Sequence, residues 1–305
     1  MKLSFHVPEK DDGKPAFEIL SQKGMSRLLI KRIRLYGQLT VNGLPKRMKD
    51  PLTVGDLVEA TYKEDHEQFA LRPNHGIPIL YEDEWCIVCD KPADLVTHPS
   101  WQHMDDSLIQ RLSDQTLHPV MRLDRETSGL IVVAKNGFAH HAISHATMNK
   151  AYMALVHGVF APTEGSIDAP IGRSTDSIML REVREDGRRA VTHYKTLAYN
   201  PTANVSLVRF VLETGRCHQI RVHSLSLGHP LLGDGLYGVC SLAYPRPELW
   251  DTEKDLSMKR QALHACELSF QHPESRETLH FVLPAPDDFP LFTLFPDDVS
   301  SLSPE

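Results

Sequence analysis

The stretch "HPVMRLDRETSGLIVVAKN", residues 118–136, sets one carboxylate, Asp124, between two guanidinium groups, Arg122 and Arg125, just ahead of an apolar run. An exposed ion pair is worth only about 0–1 kcal/mol, so stability is a weak reason for the arrangement. A carboxylate with a reference pKa near 4 is ionised at neutral pH, and a neighbouring guanidinium keeps it charged and aimed when a ligand closes over it. Nucleophilic catalysis needs such a group. Arg122 has two readings, as a partner that shares a face with Asp124 or as a contact to an anionic ligand, because arginine serves both uses.

Other spacings point less far. Cys86 and Cys89 form a CxxC inside the strand-like "EWCIVCDKP". Their odd spacing sends the two thiols to opposite strand faces, and no second CxxC completes a zinc set. His141 and His145 have the i, i+4 spacing of a zinc helix but lack the glutamate of H-E-x-x-H, so a solvated helix face is the plainer reading. No metal and no cofactor are expected. Five cysteines without a regular framework fit reduced thiols better than disulfides.

The elements that must position Asp124 follow from the pattern around it. Residues 118–124, if extended, place His118, Val120, Arg122 and Asp124 on one face, and Thr127-Ser128-Gly129 reads as the turn into the strand "LIVVAKN". "NGFAHHAISHATMNK" reads as a helix and "AYMALVHGVF" as a strand. "CHQIRVHSLSLG" is a helix stopped at Gly228, with His218 and His223 expected to hold it against a sheet. Gly233, Gly235 and Gly238 belong to a turn-rich loop that fits no phosphate-binding fingerprint. Many strands with few long helices argue for an α+β domain around a mostly antiparallel mixed sheet.

The chain has 305 residues, 41% hydrophobic and 24% charged, room for one large domain or a large and a small one. It opens without the apolar run of a secretion signal and has no 18-residue apolar stretch, so a cytoplasmic protein with no membrane partner is expected. The net charge of −7 hides a segregation. Residues 21–50 carry eight bases against one acid, net +7, which leaves −14 elsewhere. Five acids and no base lie between 281 and 305. A local basic patch binds phosphate whatever the total.

That basic segment reads as a short helix, a strand turning at Asn42-Gly43 and a closing strand "DLVEATY". Its "SRLLIKRIRLYGQLTVNG" resembles the S4-like RNA-binding domain, which implies RNA contacts from Arg27, Lys31, Arg32, Arg34, Lys46 and Arg47. The remainder resembles the RluA-type pseudouridine synthases. "MRLDRETSGL" is similar to their H-R-L-D-x-x-T-S-G-L, with Met121 in the place of the usual histidine. "KAYMALVHG", "ETGRCHQIRVHSLSLGHPLLGDGLYG" and "ALHACELSFQHP" follow in the family's order, over about 80–285.

The resemblance implies a pseudouridine-synthase fold (75–290) behind an S4-like domain and linker (1–74), with an acidic tail (291–305). It implies an RNA-dependent isomerase in which Asp124 is the nucleophile, Arg216 its ion-pair partner and Tyr152 the surface that holds a flipped base. Arg122, Arg221 and Lys91 are expected to bind substrate. The expected partner is structured RNA, ribosomal rather than transfer RNA, and a monomer is expected. A catalytically silent RNA-binding protein is the rival, because Met121 departs from the motif. A nucleoside hydrolase fares worse, since hydrolysis wants a second carboxylate and Glu126 has no context as one.

Overall fold

The computed structural model describes residues 2–25, 27–61, 71–73, 76–100, 103–175, 177, 179–239, 241 and 258–296. Most of the 63–78 linker and the end of the acidic tail lie outside them. The N-terminal part opens with β1 (Lys2–His6), α1 (Ala16–Gln22) and α2 (Arg27–Tyr36). It continues with β2 (Gln38–Val41), β3 (Leu44–Pro45) and β4 (Leu57–Thr61), in a sheet of order β1-β4-β2-β3. The β2–β3 turn is Asn42-Gly43 with φ of 51° and 79°, the pair of positive values that a tight hairpin needs. Sequence reading found α2 and this hairpin but missed β1 and α1, whose apolar residues Ile19 and Leu20 complete the small core.

The larger C-terminal part begins with the hairpin β5 (Ile79–Glu82) and β6 (Cys86–Lys91). It is turned by Asp83, whose carboxylate accepts the Trp85 and Cys86 N–H groups at 2.7 and 2.8 Å. Then come α3 (Leu108–Leu112), β7 (His118–Pro119), β8 (Ser128–Ala134), α4 (Gly137–His145) and β9 (Met148–His157). Next are β10 (Glu164–Asp168), the side hairpin β11 (Ile171–Arg173) and β12 (Arg181–Val183), β13 (Val191–Asn200) and β14 (Val205–Leu212). α5 (Gln219–Ser226), β15 (Leu263–Gln271), β16 (Thr278–Val282) and α6 (Leu291–Leu294) close the chain.

One large sheet runs β10-β13-β14-β9-β15-β8-β6-β5, with β16 on β15 and β7 on β8. Every described pairing in it is antiparallel except β15 with β8, so the expected α+β mixed sheet is present. Its faces separate along the strands. Ile87 and Cys89 enter one buried cluster with Tyr152 and Leu263, while Cys86 and Val88 enter another with Leu268. The two CxxC thiols therefore do face opposite ways.

Two expectations shift. The extended stretch ahead of Asp124 is only His118–Pro119, and the turn is Asp124–Thr127, closed by the Thr127 N–H on the Asp124 carbonyl at 3.1 Å. Ser128 and Gly129 already belong to β8. The segment expected to be a tail from 291 starts as α6, and Leu291 and Phe295 are buried with Leu232 and Met258.

Candidate active site

Register brings the site together. Ala265 of β15 pairs with Tyr152 of β9 on one side and with Gly129 of β8 on the other. Gly129 has φ of +110°, and a Cβ there would meet the Ala265 carbonyl oxygen at 2.3 Å. Only glycine admits this approach, which sets the turn bearing Asp124 beside the row of Tyr152.

Asp124 is held from behind. Arg221 of α5 donates from Nη1 to Asp124 Oδ2 at 2.8 Å. Its Nε and Nη2 both donate to Asp234, at 2.7 Å each. Asp234 is fully buried and also accepts the Leu236 and Tyr237 N–H groups at 2.9 Å. The Arg221 guanidinium lies over the Tyr237 ring at 4.9 Å. The Tyr237 hydroxyl in turn lies 2.8 Å from His218 Nδ1 and accepts the Arg181 N–H at 2.8 Å. His218 Nε2 stands 3.9 Å from Asp124. Gly233, at φ +66°, lets this loop close on the Arg260 carbonyl.

The electrostatic result is an ionised carboxylate. Burial opposes the charge on Asp124, but His218, Arg221 and a hydrogen bond from Gln261 outweigh it and hold the group below the usual carboxylate range. The side chain remains 28% exposed, so it is accessible. Burial pulls the His218 imidazole down. Burial and the charge of Asp124 push the Tyr152 phenol up, so its hydroxyl stays protonated.

Asp124 and Tyr152 line a small pocket of about 60 Å³ that opens into a cleft of about 590 Å³. Arg122, Arg216 and His218 line both. Met121, where the motif has histidine, contributes an apolar wall to the cleft. Tyr152 is 6% exposed, packed in the core yet presenting its ring to the pocket.

Three expected roles are corrected by these contacts. The guanidinium that meets Asp124 belongs to Arg221, while Arg216 donates its Nε to the Arg189 carbonyl at 2.8 Å. Arg221, 4% exposed and spent on two carboxylates, is not free for a phosphate. Lys91 has no exposed surface; its ammonium donates to the carbonyls of Pro92, Leu95 and Arg125, and burial lowers its pKa to about 7. It ties the residue after Asp124 to the 92–95 loop and does not reach the cleft. Arg122 is exposed on the rim, and no ion pair between it and Asp124 occurs among the described contacts.

His223 holds α5 to the sheet as expected, within 2.9 Å of Thr192 Oγ1 and of the Ala169 carbonyl. His141 and His145 stack on α4 with ring centroids 4.0 Å apart. Among the described residues no three His, Cys, Asp or Glu side chains converge as metal ligands.

Sequence reading missed Asp234, Tyr237 and Gln219. Gln219 accepts the Arg216 N–H and the Thr214 hydroxyl and donates to Val191 and Thr192, which fixes the 214–218 loop. The signal for Asp234 and Tyr237 lay in "GDGLYG", where the glycines drew attention away from the carboxylate.

In the N-terminal part, Arg27, Lys31, Arg34, Lys46 and Arg47 are exposed and line one groove with Phe17, Ile30 and Pro45. The side chain of Arg32 lies outside the described residues. The N-terminal core is continuous with Trp85, Ala134, Phe138 and Ala139 of the larger part.

An oriented carboxylate in a cleft, with an aromatic ring and guanidinium groups lining the same space, suits an anionic ligand that carries a flat ring. The RNA pseudouridylate synthase family model matches residues 86–226. The chain is 40% identical to the uncharacterized RNA pseudouridine synthase YjbO of Bacillus subtilis, over 89% of this chain and 95% of that one. It is 38% identical to the ribosomal large subunit pseudouridine synthase D of Neisseria meningitidis, over 83% and 70%. Human RNA pseudouridylate synthase domain containing 1 shares the fold at a TM-score of 0.57 and 26% identity, covering 77% of this chain and 92% of that one. The chain belongs to the RluA-type RNA pseudouridine synthases and is an isomerase acting on RNA.

Proposed function

We propose that this enzyme isomerises uridine in ribosomal RNA, with Asp124 as the nucleophile. The observation that carries the reading is the Asp124 carboxylate, ionised and aimed by Arg221, which Asp234 holds in turn. Asp124 attacks the target nucleotide as the carboxylate of a retaining glycosidase does. The Asp124 ester to C1′ forms as the bond from C1′ to N1 breaks, the uracil turns, and C5 attacks C1′, which breaks the ester and releases the Asp124 carboxylate. The proton on C5 leaves to solvent and N1 gains one, so no redox cofactor is consumed. A base must leave its stack to reach the pocket, and the Tyr152 ring supports it there.

The choice of ribosomal RNA rests on the relatives named for the ribosomal large subunit. The exposed cations of the N-terminal groove suit an S4-like anchor for phosphates, which positions RNA without reading its sequence. The test uses RNA tritiated at C5 of uridine, from a strain lacking the gene. Release of label from ribosomal RNA and not from transfer RNA supports the reading. Release only from transfer RNA redirects it, and release from neither favours a silent RNA-binding protein.

A further inference from the structure

Lys150 stands at the start of β9, opposite Leu268 of β15 and two residues before Tyr152, so both side chains use the same strand face. It lines the same cleft as Asp124. Its Nζ lies 3.7 Å from where a Cβ of Gly215 would be, so the bare backbone there leaves room around the ammonium. The side chain is half-buried, and burial lowers its pKa.

The other lysines withdrawn from solvent all find partners. Lys14 pairs with Asp11, Lys135 with Glu82, Lys91 takes three carbonyls, and Lys23 lies over the Phe5 ring. Lys150 alone of this group has no described hydrogen bond, ion pair or ring contact. A half-buried cation without a counter-ion costs free energy in the empty protein, and such groups mark places where charge arrives with a ligand. Asp124 cannot supply that charge, because Arg221 already holds it.

We propose that Lys150 binds a phosphodiester of the RNA substrate beside the flipped nucleotide. A step of two residues along a strand spans about 7 Å, comparable to the reach from a base on Tyr152 through its ribose to a phosphate. Arg122 and Arg216 stand on the same cleft wall, so the phosphate enters between cations. The inference rests on the uridine-isomerase reading for its ligand and adds a contact that aspartate chemistry does not require.

The test compares the full-length protein with Lys150→Gln and Lys150→Arg, using a uridine-rich single-stranded RNA for binding and C5-tritiated ribosomal RNA for turnover. One lost phosphate contact makes the slope of log Kd against log salt shallower by about 0.7 and weakens binding about five-fold at 0.1 M salt. Lys150→Gln is expected to show both, with kcat near wild type, KM raised and Tm unchanged or higher. Lys150→Arg is expected to restore binding. An unchanged salt slope overturns the proposal, whether kcat falls, which would place the ammonium on the uracil ring, or nothing changes, which would leave a solvated side chain. A lowered Tm in Lys150→Gln also overturns it, since a structural partner would then exist. Because binding is read separately, a wild type that releases no tritium defeats the isomerase reading while the salt slope still decides on Lys150.

Discussion

Two cationic regions of this protein handle charge in opposite ways. Behind the cleft, Arg221 is buried and fully partnered, bridging Asp124 and Asp234. In the N-terminal groove, Arg27, Lys31, Arg34, Lys46 and Arg47 stand exposed. A buried guanidinium between two carboxylates is fixed in direction, which suits a group that must aim a reactive carboxylate. Exposed cations keep their mobility and suit phosphates that need no fixed register. On the function proposed above, the difference separates chemistry from anchoring within one chain.

The largest effect follows from removing the centre of the first region. Asp124→Asn keeps shape and most hydrogen bonding but removes the proposed nucleophile, so tritium release should fall by more than about a thousand-fold while filter binding of RNA survives. Residual turnover near wild type would break the assignment. Next is Arg221→Ala, which leaves Asp234 buried without its cation. Unfolding should show a loss of about 3–5 kcal/mol, whereas Arg216→Ala, whose head is more exposed, should cost under about 1 kcal/mol.

Tyr152 sharpens the comparison at a smaller scale. Tyr152→Ala should weaken substrate binding by about 1–3 kcal/mol, the worth of one aromatic stack on a base. Tyr152→Phe should bind nearly as wild type. Equal binding by the Ala variant would return this side chain to a core role alone.

Deleting residues 1–74 breaks the comparison from the other side. The remaining domain should still isomerise uridine at high enzyme concentration, with a salt slope shallower by roughly 3.5 for five lost phosphate contacts. It uncovers Trp85 and Phe138, whose rings meet edge to face at 5.4 Å, so its Tm should drop by several degrees. A truncated protein that keeps the full slope would remove the anchor.

A further effect, away from the cleft, is on pH dependence. His264 is 2% exposed, and burial lowers its pKa to about 4. The unfolded state, near 6.5, takes a proton more readily, so this stabilisation is present above pH 6.5 and is lost as pH falls toward 4. The loss amounts to roughly 3 kcal/mol at most. Asp124 acts in the same direction lower down, its contribution fading as pH falls through its depressed folded value. Urea melts of His264→Gln should show a flatter pH profile between 6.5 and 4, and an unchanged profile would assign the slope elsewhere.

Much of this was legible in the residues. Asp124 and Tyr152 stood out by motif, and the opposite faces of Cys86 and Cys89 followed from strand periodicity. The partner of Asp124 was not legible, because "TGRCHQIR" offers two arginines five residues apart. Only the left-handed turn at His218, φ 58°, and the start of α5 decide which one points at the carboxylate. Lys91 misled for a related reason. A lysine at the end of the strand-like "EWCIVCDKP" invites a ligand, and nothing local reveals three carbonyls contributed by Pro92, Leu95 and Arg125. Strand β1 was missed because its partner β4 lies more than fifty residues away.

The most direct measurement is single-turnover tritium release at saturating RNA for Arg221→Lys and Arg216→Lys. A lysine at 221 cannot hold Asp234 in two bonds and Asp124 in a third with the same planar fork. The chemical rate should therefore fall at least about a hundred-fold, the scale of losing one oriented electrostatic group. Arg216→Lys should keep that rate and lose only affinity. The reverse result, with the rate held at 221 and lost at 216, would contradict the assignment of Arg221 as the group that aims Asp124.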